Sequence, residues 1–223
     1  MPCRVLARLA HQSEKVCDRP ILNNVETAKV ILESASPSIN EVKEIVGDID
    51  RDNRRAGEVI RRLRSYVMKA PFEKKDFDLN DLVAETVSFL APQARSHQVV
   101  LRSRLTLAPL RINGDPIQLQ QVLSNLILNA VDAASDPTLA DRTVTVATRD
   151  GEFAEVSVSD TGRGVSEELA KKIFDPFFST KEHGMGMGLS IVRTIVTTHG
   201  GQLDFENRNG ANGVIFRVKL PLV

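Results

Sequence analysis

The chain has 223 residues, of which 42% are apolar and 26% are charged, as in an ordinary globular protein. Its 29 basic residues balance 29 acidic ones, so no overall field favours binding to nucleic acid or to an anionic membrane. The two cysteines, Cys3 and Cys17, are too few for a disulfide framework, and no apolar run approaches the roughly 18 residues that span a bilayer. We therefore expect a cytoplasmic chain that makes no membrane contact of its own.

The first predicted helix, residues 8–20, contains one histidine, His11, with a carboxylate at Glu14 three residues further on. Two stretches with the heptad spacing of a helical bundle follow it. The first runs from Ile21 to Ala35, and the second has apolar residues at Ile39, Val42, Val46, Ile49, Ala56, Ile60, Leu63 and Val67. Because a hairpin with an apolar seam on each arm cannot bury both seams alone, the pattern predicts a homodimer built on a four-helix bundle.

The heptad pattern ends after the second stretch, and a different pattern of elements follows. Pro71 ends the hairpin, so we predict a helical domain over 1–70, a charged linker over 71–76 and a second domain over 77–223. The predicted elements of the second domain are helices over 82–94, 116–134 and 189–198 and strands over 99–105, 143–148, 152–159, 202–207 and 214–220. Helices mixed with a mainly antiparallel sheet predict a two-layer α+β sandwich.

Two asparagines on the second of these helices are the first chemical candidates. Asn125 and Asn129 are four residues apart and therefore share one face of the helix. Carboxamide oxygens suit Mg²⁺, which binds few protein ligands and keeps other positions for water and phosphate. Paired asparagines on a helix more often face solvent, so this pattern alone does not define a site.

A second candidate, the sequence SDTGRGV, follows a predicted strand. Its carboxylate, Asp160, could accept a hydrogen bond from an amino group on a flat base, while Gly162 and Gly164 let the backbone approach a ligand closely. An ordinary Asp-Gly turn is the alternative.

Two further segments, FDPFFSTK over 174–181 and HGMGMGLS over 183–190, complete the set. In the second of them Gly184, Gly186 and Gly188 precede a helix, and loop amides at a helix N-terminus receive phosphate. A glycine pattern of this kind recurs by chance, but four such segments in this order do not.

Together the four segments resemble the asparagine box, first glycine box, phenylalanine box and second glycine box of the sensor histidine kinases. The resemblance covers residues 77–223 and is greatest to kinases that follow cytoplasmic sensor modules such as PAS domains, including oxygen-sensing ones. It implies the Bergerat fold, which is shared with the gyrase, mismatch-repair and heat-shock chaperone ATPases. The expected fold class is therefore α+β, with a dimeric four-helix bundle followed by a two-layer sandwich of this type.

The resemblance also implies ATP and Mg²⁺ as cofactors and gives each candidate residue a role. Asn129 would hold the Mg²⁺ that bridges the ATP phosphates, with Asn125 nearby, and Asp160 would bind the adenine amino group. Lys181 would approach the γ-phosphate. The remaining expected contacts are Gly162 and Gly164 at the edge of the pocket and Gly184, Gly186 and Gly188 in a lid over the phosphates.

In the hairpin the resemblance implies His11 as the phosphate acceptor and a response regulator receiver domain as the partner that takes the phosphate onto an aspartate. Here the chain departs from the family, because the acid that normally follows the histidine is replaced by Gln12, which cannot act as a base. Glu14 could approach the ring from the same helix face instead. The alternative is a degenerate kinase, an ATP-binding dimerisation module without autokinase activity.

Overall fold

The computed structural model describes residues 19–34, 37–50, 73–176, 178–179, 186–208 and 212–223. The chain divides into two compact units, Met1–Pro71 and Phe72–Val223. Several predicted features lie outside the described residues, namely the helix over 8–20 with His11 and Glu14, the later part of the second seam, Lys181 and Gly184.

The first unit contains helix α1 (Arg19–Glu33) and helix α2 (39–50). These two helices confirm that the two predicted segments are helical over the described residues. At least half of the residue surface is exposed at five apolar positions, Leu22, Val30, Leu32, Ile39 and Val46. In the described parts of the chain no helix has both the length and the apolar character to cross a membrane.

The second unit is a mixed structure of helices and strands. Its helices are α3 (Leu79–Ser96), α4 (Pro116–Ala134), α5 (Glu167–Ala170) and α6 (Gly188–Thr198), and its strands are β1 (Lys75–Asp78), β2 (Val100–Arg104), β3 (Arg111–Gly114), β4 (Thr143–Arg149), β5 (Phe153–Asp160), β6 (Gln202–Asn207) and β7 (Val214–Pro221). Strands in the order β2-β4-β5-β7-β6 form one sheet, in which only β2 and β4 are parallel neighbours among the described strands. Strands β1 and β3 form a separate antiparallel pair.

All eight predicted elements of this unit are present, with bounds within three residues of the prediction. Strands β1 and β3 and the short helix α5 were not predicted. Strand β1 begins at Lys75, inside the stretch predicted as a linker, and its sequence KDFD has no strand-like alternation. It is a strand because it pairs with β3, which is a contact that local sequence does not encode.

Alternation along the strands separates a buried face from a solvated one. The buried side chains on the inner face are Val144, Val146, Ala154, Val156, Val158, Val214, Phe216, Val218 and Leu220. Helices α3, α4 and α6 pack against this sheet, and the intervening residues Thr145, Ser157 and Ser159 lie on the opposite face. One helical layer on one face of a mainly antiparallel sheet confirms the predicted two-layer α+β sandwich.

Two side chains fix the start of α4. The carboxylate oxygen Oδ1 of Asp115 accepts hydrogen bonds from the backbone N–H groups of Ile117 at 3.0 Å and Gln118 at 3.1 Å and so caps the N-terminus of the helix. The buried His199 at the end of α6 accepts from the backbone N–H of Asp115 at its Nε2 (3.0 Å), while its Nδ1 donates to the carbonyl of Ile195 (2.8 Å). His199 therefore joins the end of α6 to the start of α4 and has a structural role.

Candidate functional site

Helix α4 carries the two candidate asparagines. Asn125 and Asn129 are both half-buried, as expected for one face that borders the core without entering it. The Nδ2 atom of Asn125 is buried and has no hydrogen-bond partner among the described residues. A buried donor without a partner carries a desolvation cost of about 1–3 kcal/mol. Such a group is suited to a ligand oxygen that is absent from the free protein.

Asp160 lies at the end of β5, where it is only 4% exposed. Its Oδ1 accepts from the backbone N–H of Gly162 at 2.8 Å and from that of Val214 at 3.4 Å. None of the hydrogen bonds in the described parts of the chain ends on Oδ2. The carboxylate is therefore held by one oxygen and has the other available.

The environment of Asp160 also shifts its acidity. Burial raises the pKa of the Asp160 carboxyl above its ordinary value, and the N–H groups of Gly162 and Val214 together with the charge of Arg208 partly oppose that rise. The guanidinium of Arg208 lies near the Asp160 carboxyl, since its Nη1 donates a hydrogen bond to the backbone carbonyl of Asp160 at 3.1 Å.

The loop after β5 lies against the C-terminal end of α4. At Gly162 a Cβ atom would come within 2.8 Å of the carbonyl oxygen of Ala133, so only glycine fits there without displacement. Gly164 has a φ of +82°, in the left-handed region that favours glycine. Ala133 is one helical turn beyond Asn129, so the fold brings Asp160 and the asparagines to one side of α4.

The N-terminus of α6 lies beside the same helix face. A Cβ atom at Gly188, the first residue of α6, would be 3.7 Å from Nδ2 of Asn129. The residue before it, Met187, provides no side-chain cap, so the first-turn amides are open to an anion. Gly186 has a φ of +64° and turns the chain into the helix. The structure thus brings Gly188 to Asn129, with Gly186 two residues before it in the chain, whereas Lys181 and Gly184 of the same prediction fall outside the described residues.

The phenylalanine segment packs beside α6. The ring of Phe174 meets the ring of Phe205 edge to face at 5.7 Å, and the guanidinium of Arg193 on α6 lies 5.8 Å from the centre of the Phe174 ring. Phe205 in turn stacks on Phe216 at 5.7 Å. These contacts join the segment to both α6 and the sheet.

Sequence reasoning did not identify Gly213 as a site residue. Its φ is +116°, and a Cβ atom there would overlap the backbone carbonyl oxygen of Asp160. The only sequence signal was an Asn212-Gly213 pair in a predicted loop, which indicates a turn but not what the turn touches. Gly213 allows the loop before β7 to lie directly against Asp160.

This fold and site define an ATP-binding domain, and the comparison with known families agrees. Residues 114–223 match the family described as histidine kinase-, DNA gyrase B- and HSP90-like ATPases. The prediction of ATP as a cofactor is confirmed at this level.

Individual relatives define the family more narrowly. The C4-dicarboxylate transport sensor protein DctS of Rhodobacter capsulatus is 38% identical over 193 residues, which are 86% of this chain and 29% of DctS. The solved catalytic domain of histidine kinase ThkA is 34% identical with a TM-score of 0.59, over 67% of this chain and 96% of that domain. The structure of ThkA in complex with response regulator protein TrrA is 26% identical with a TM-score of 0.69, over 99% of this chain and 61% of that one.

The chain therefore belongs to the histidine kinase family, as the sequence predicted. The chain spans 29% of the length of DctS.

Proposed function

We propose that this chain is the kinase core of a two-component sensor, which phosphorylates a histidine of its own hairpin with ATP and passes the phosphate to an aspartate of a response regulator. In this proposal residues 1–70 form the dimerisation and phosphotransfer hairpin, 71–76 the linker and 77–223 the catalytic domain, all in the cytoplasm. The observation that carries it is the geometry of Asp160, whose Oδ1 is held by two backbone N–H groups while Oδ2 has no protein donor in the described residues.

That geometry suits recognition of adenine. A fixed carboxylate oxygen accepts a hydrogen bond from the exocyclic amino group of the base, while a base that presents a carbonyl at the same position would be repelled. Gly162 and Gly164 form the adjoining edge, where Gly162 lets the loop pack against the carbonyl of Ala133 and Gly164 adopts a left-handed backbone conformation.

The residues near Asn129 suit the phosphates. The open amides at the start of α6 and the unpartnered Nδ2 of Asn125 are donors to phosphate oxygens, and Gly186 and Gly188 let the backbone approach them. Lys181 and Gly184 complete this side in the proposal, with Lys181 toward the γ-phosphate.

The donor set also fits Mg²⁺. No cluster of three His, Cys, Asp or Glu side chains occurs in the described residues, but Mg²⁺ in nucleotide sites needs only one or two protein oxygens besides water and phosphate. Oδ1 of Asn129 would be that oxygen. When bound, the ion neutralises charge on the phosphates.

The transfer step uses His11. A ring nitrogen of His11 attacks the γ-phosphorus, the bond from that phosphorus to the bridging oxygen breaks, and ADP leaves with that oxygen. The ring proton passes to Glu14, the acid nearest in sequence, because Gln12 cannot accept it. The response regulator aspartate then takes the phosphoryl group and frees the histidine.

Two partners follow from this proposal. The exposed apolar side chains of α1 and α2 would be covered by a second copy in a four-helix bundle, which supports a homodimer. The relative ThkA is known in complex with a response regulator, which supports such a partner for this chain.

Radiolabel transfer from γ-labelled ATP tests the proposal. The wild-type chain is expected to become labelled on a histidine, His11→Ala to stay unlabelled, and the control His97→Ala, which changes an exposed histidine at the end of α3, to label normally. ADP binding measured separately by calorimetry distinguishes the outcomes. A wild-type chain that binds ADP but takes no label would show the degenerate module instead, and label on His11→Ala would rule out this acceptor.

A further inference from the structure

The loop between Asp160 and helix α5, residues 161–165, has no regular secondary structure and is held by side-chain contacts. Its beginning is well anchored, because Thr161 Oγ1 donates to the carbonyl of Asp141 at 2.7 Å and Gly162 N–H donates to Asp160 at 2.8 Å. Next, Arg163 forms an ion pair with Asp136 at 2.6 Å, but its side chain is 75% exposed. Exposed ion pairs contribute little, so this contact holds the loop weakly.

The far end of the loop is held by Asn207, the last residue of β6. The backbone N–H of Val165 donates to Asn207 Oδ1 at 2.8 Å, and Asn207 Nδ2 donates to the carbonyl of Val165 at 2.7 Å. A carboxamide offers the donor and acceptor of a peptide group, so this pair reproduces one step of a strand ladder across 42 residues of sequence. Within the described part of the chain, no other hydrogen bond reaches Gly164 or Val165.

Asn207 also lies against the one described residue of the loop that has a positive φ. Gly164 has a φ of +82°, and a Cβ atom there would be 3.1 Å from Asn207 Oδ1. A glycine in an irregular loop has many accessible conformations, and two hydrogen bonds to the next residue, Val165, restrict them. Strand β6 is held in the sheet by its hydrogen bonds with β7, so the two hydrogen bonds from Asn207 hold the loop against the edge of that sheet.

We propose that Asn207 is a positioning residue that fixes the loop 161–165 and thereby sets the affinity of the site for the adenine nucleotide. This inference rests on the proposed function, because it assumes that Asp160 and Gly162 contact the base. Asn207 contacts Val165 and Gly164 rather than the base, so it acts on nucleotide binding and not on the transfer step. Its loss therefore raises the KM for ATP and leaves kcat at saturating ATP unchanged.

The test compares two isosteric substitutions. Asn207→Asp removes the Nδ2 donor and places a carboxylate oxygen against the carbonyl of Val165. Asn113→Asp is the control, because it makes the same exchange at an exposed carboxamide of the β1–β3 pair, where the lost donor bonds Asp76 at 2.5 Å and the new carboxylate is repelled by that side chain. ADP affinity by calorimetry, melting temperature by circular dichroism, and KM and kcat of autophosphorylation are measured for both and for Asn207→Ala.

For Asn207→Asp and Asn207→Ala we expect about tenfold weaker ADP binding, equivalent to about 1.4 kcal/mol, with a matching rise in KM, an unchanged kcat and a melting temperature close to wild type. Asn113→Asp should bind ADP normally. Unchanged ADP affinity in both Asn207 variants, an equal loss in Asn113→Asp, or a fall in melting temperature that accounts for the lost affinity would each overturn the inference. A wild-type chain that binds no ADP would instead refute the proposed function, and this inference with it.

Discussion

Replacing Asp160 with asparagine distinguishes the structural role of one carboxylate oxygen, Oδ1, from the proposed binding role of the other, Oδ2. The substitution keeps the shape and the Oδ1 acceptor that receives the N–H groups of Gly162 at 2.8 Å and Val214 at 3.4 Å. It exchanges the open Oδ2 for an NH₂ group and removes a charge from a position that is 4% exposed. The fold should therefore survive while recognition of adenine is lost.

The expected magnitude follows from these changes. A hydrogen bond to a charged acceptor contributes about 1.5–3 kcal/mol, and an amino group left facing another donor costs about 1–3 kcal/mol more. The sum is about 2.5–6 kcal/mol, and even a loss of about 3 kcal/mol weakens ADP binding about 100-fold, since about 1.4 kcal/mol corresponds to a factor of ten. The free energy of unfolding should stay the same or rise. Because burial raises the pKa of Asp160, the ionised group destabilises the fold at neutral pH, and the neutral amide removes that cost.

ADP calorimetry and urea unfolding of the same samples near neutral pH measure both effects. The matched control is Asp204→Asn, which neutralises an exposed carboxylate on β6 that pairs with Lys219 at 3.4 Å, away from the site. The control should change neither quantity appreciably. The reasoning fails if Asp160→Asn retains ADP affinity within tenfold, or if it lowers the free energy of unfolding by more than the control does.

Three further changes probe the same unit. Gly213→Ala should lower the free energy of unfolding by about 1–3 kcal/mol through backbone strain. It should also weaken ADP binding, because the added methyl group would overlap the carbonyl of Asp160. The control Gly151→Ala, where the nearest neighbour of the added atom is 3.9 Å away, should change neither quantity. His199→Ala should cost about 2–4 kcal/mol in urea unfolding, because it opens a cavity and leaves the buried N–H of Asp115 unpaired, and a cost below about 1 kcal/mol would contradict the structural role. Finally, lowering the pH protonates Asp160 and should weaken ADP binding. Because burial raises the pKa of this carboxyl, the midpoint of the loss should lie above its ordinary pKa of 3.8. A midpoint at or below that value would show that burial does not control the pKa of Asp160.

The sequence predicted most of the second unit because its elements have strong local signals. Asp115 and Pro116 mark the start of α4, and the alternation over 143–148 and 214–220 identifies central strands with one buried face. Strand β1 has no such pattern and depends on pairing with β3, so it was missed and its first residues were read as a linker. Local patterns find elements that bury a face of their own, and they miss those stabilised by a distant partner.

The same distinction applies to the site. Asn125, Asn129 and Asp160 were predicted because their spacing and their place after a helix start or a strand are local properties. Gly213 and Asn207 were not, because each matters through a contact with a residue far away in the chain, Asp160 in one case and Val165 in the other. A glycine in a loop and an asparagine at a strand end are too common to single out without that contact.

Three residues of the site and of the loop that borders it lie where regular elements end. Asp160 closes β5, Gly188 opens α6 and Asn207 closes β6, so each contributes from a point where backbone groups are no longer satisfied by their own element. The ladders of β5 with β7 and of β6 with β7 fix two of these ends, while the connecting loops carry glycines that can adjust to a ligand. Substitutions within the ladders should therefore act chiefly on stability, and substitutions at the ends chiefly on nucleotide affinity. Asp160→Asn, with stability unchanged or raised while affinity falls, is the clearest case of that separation.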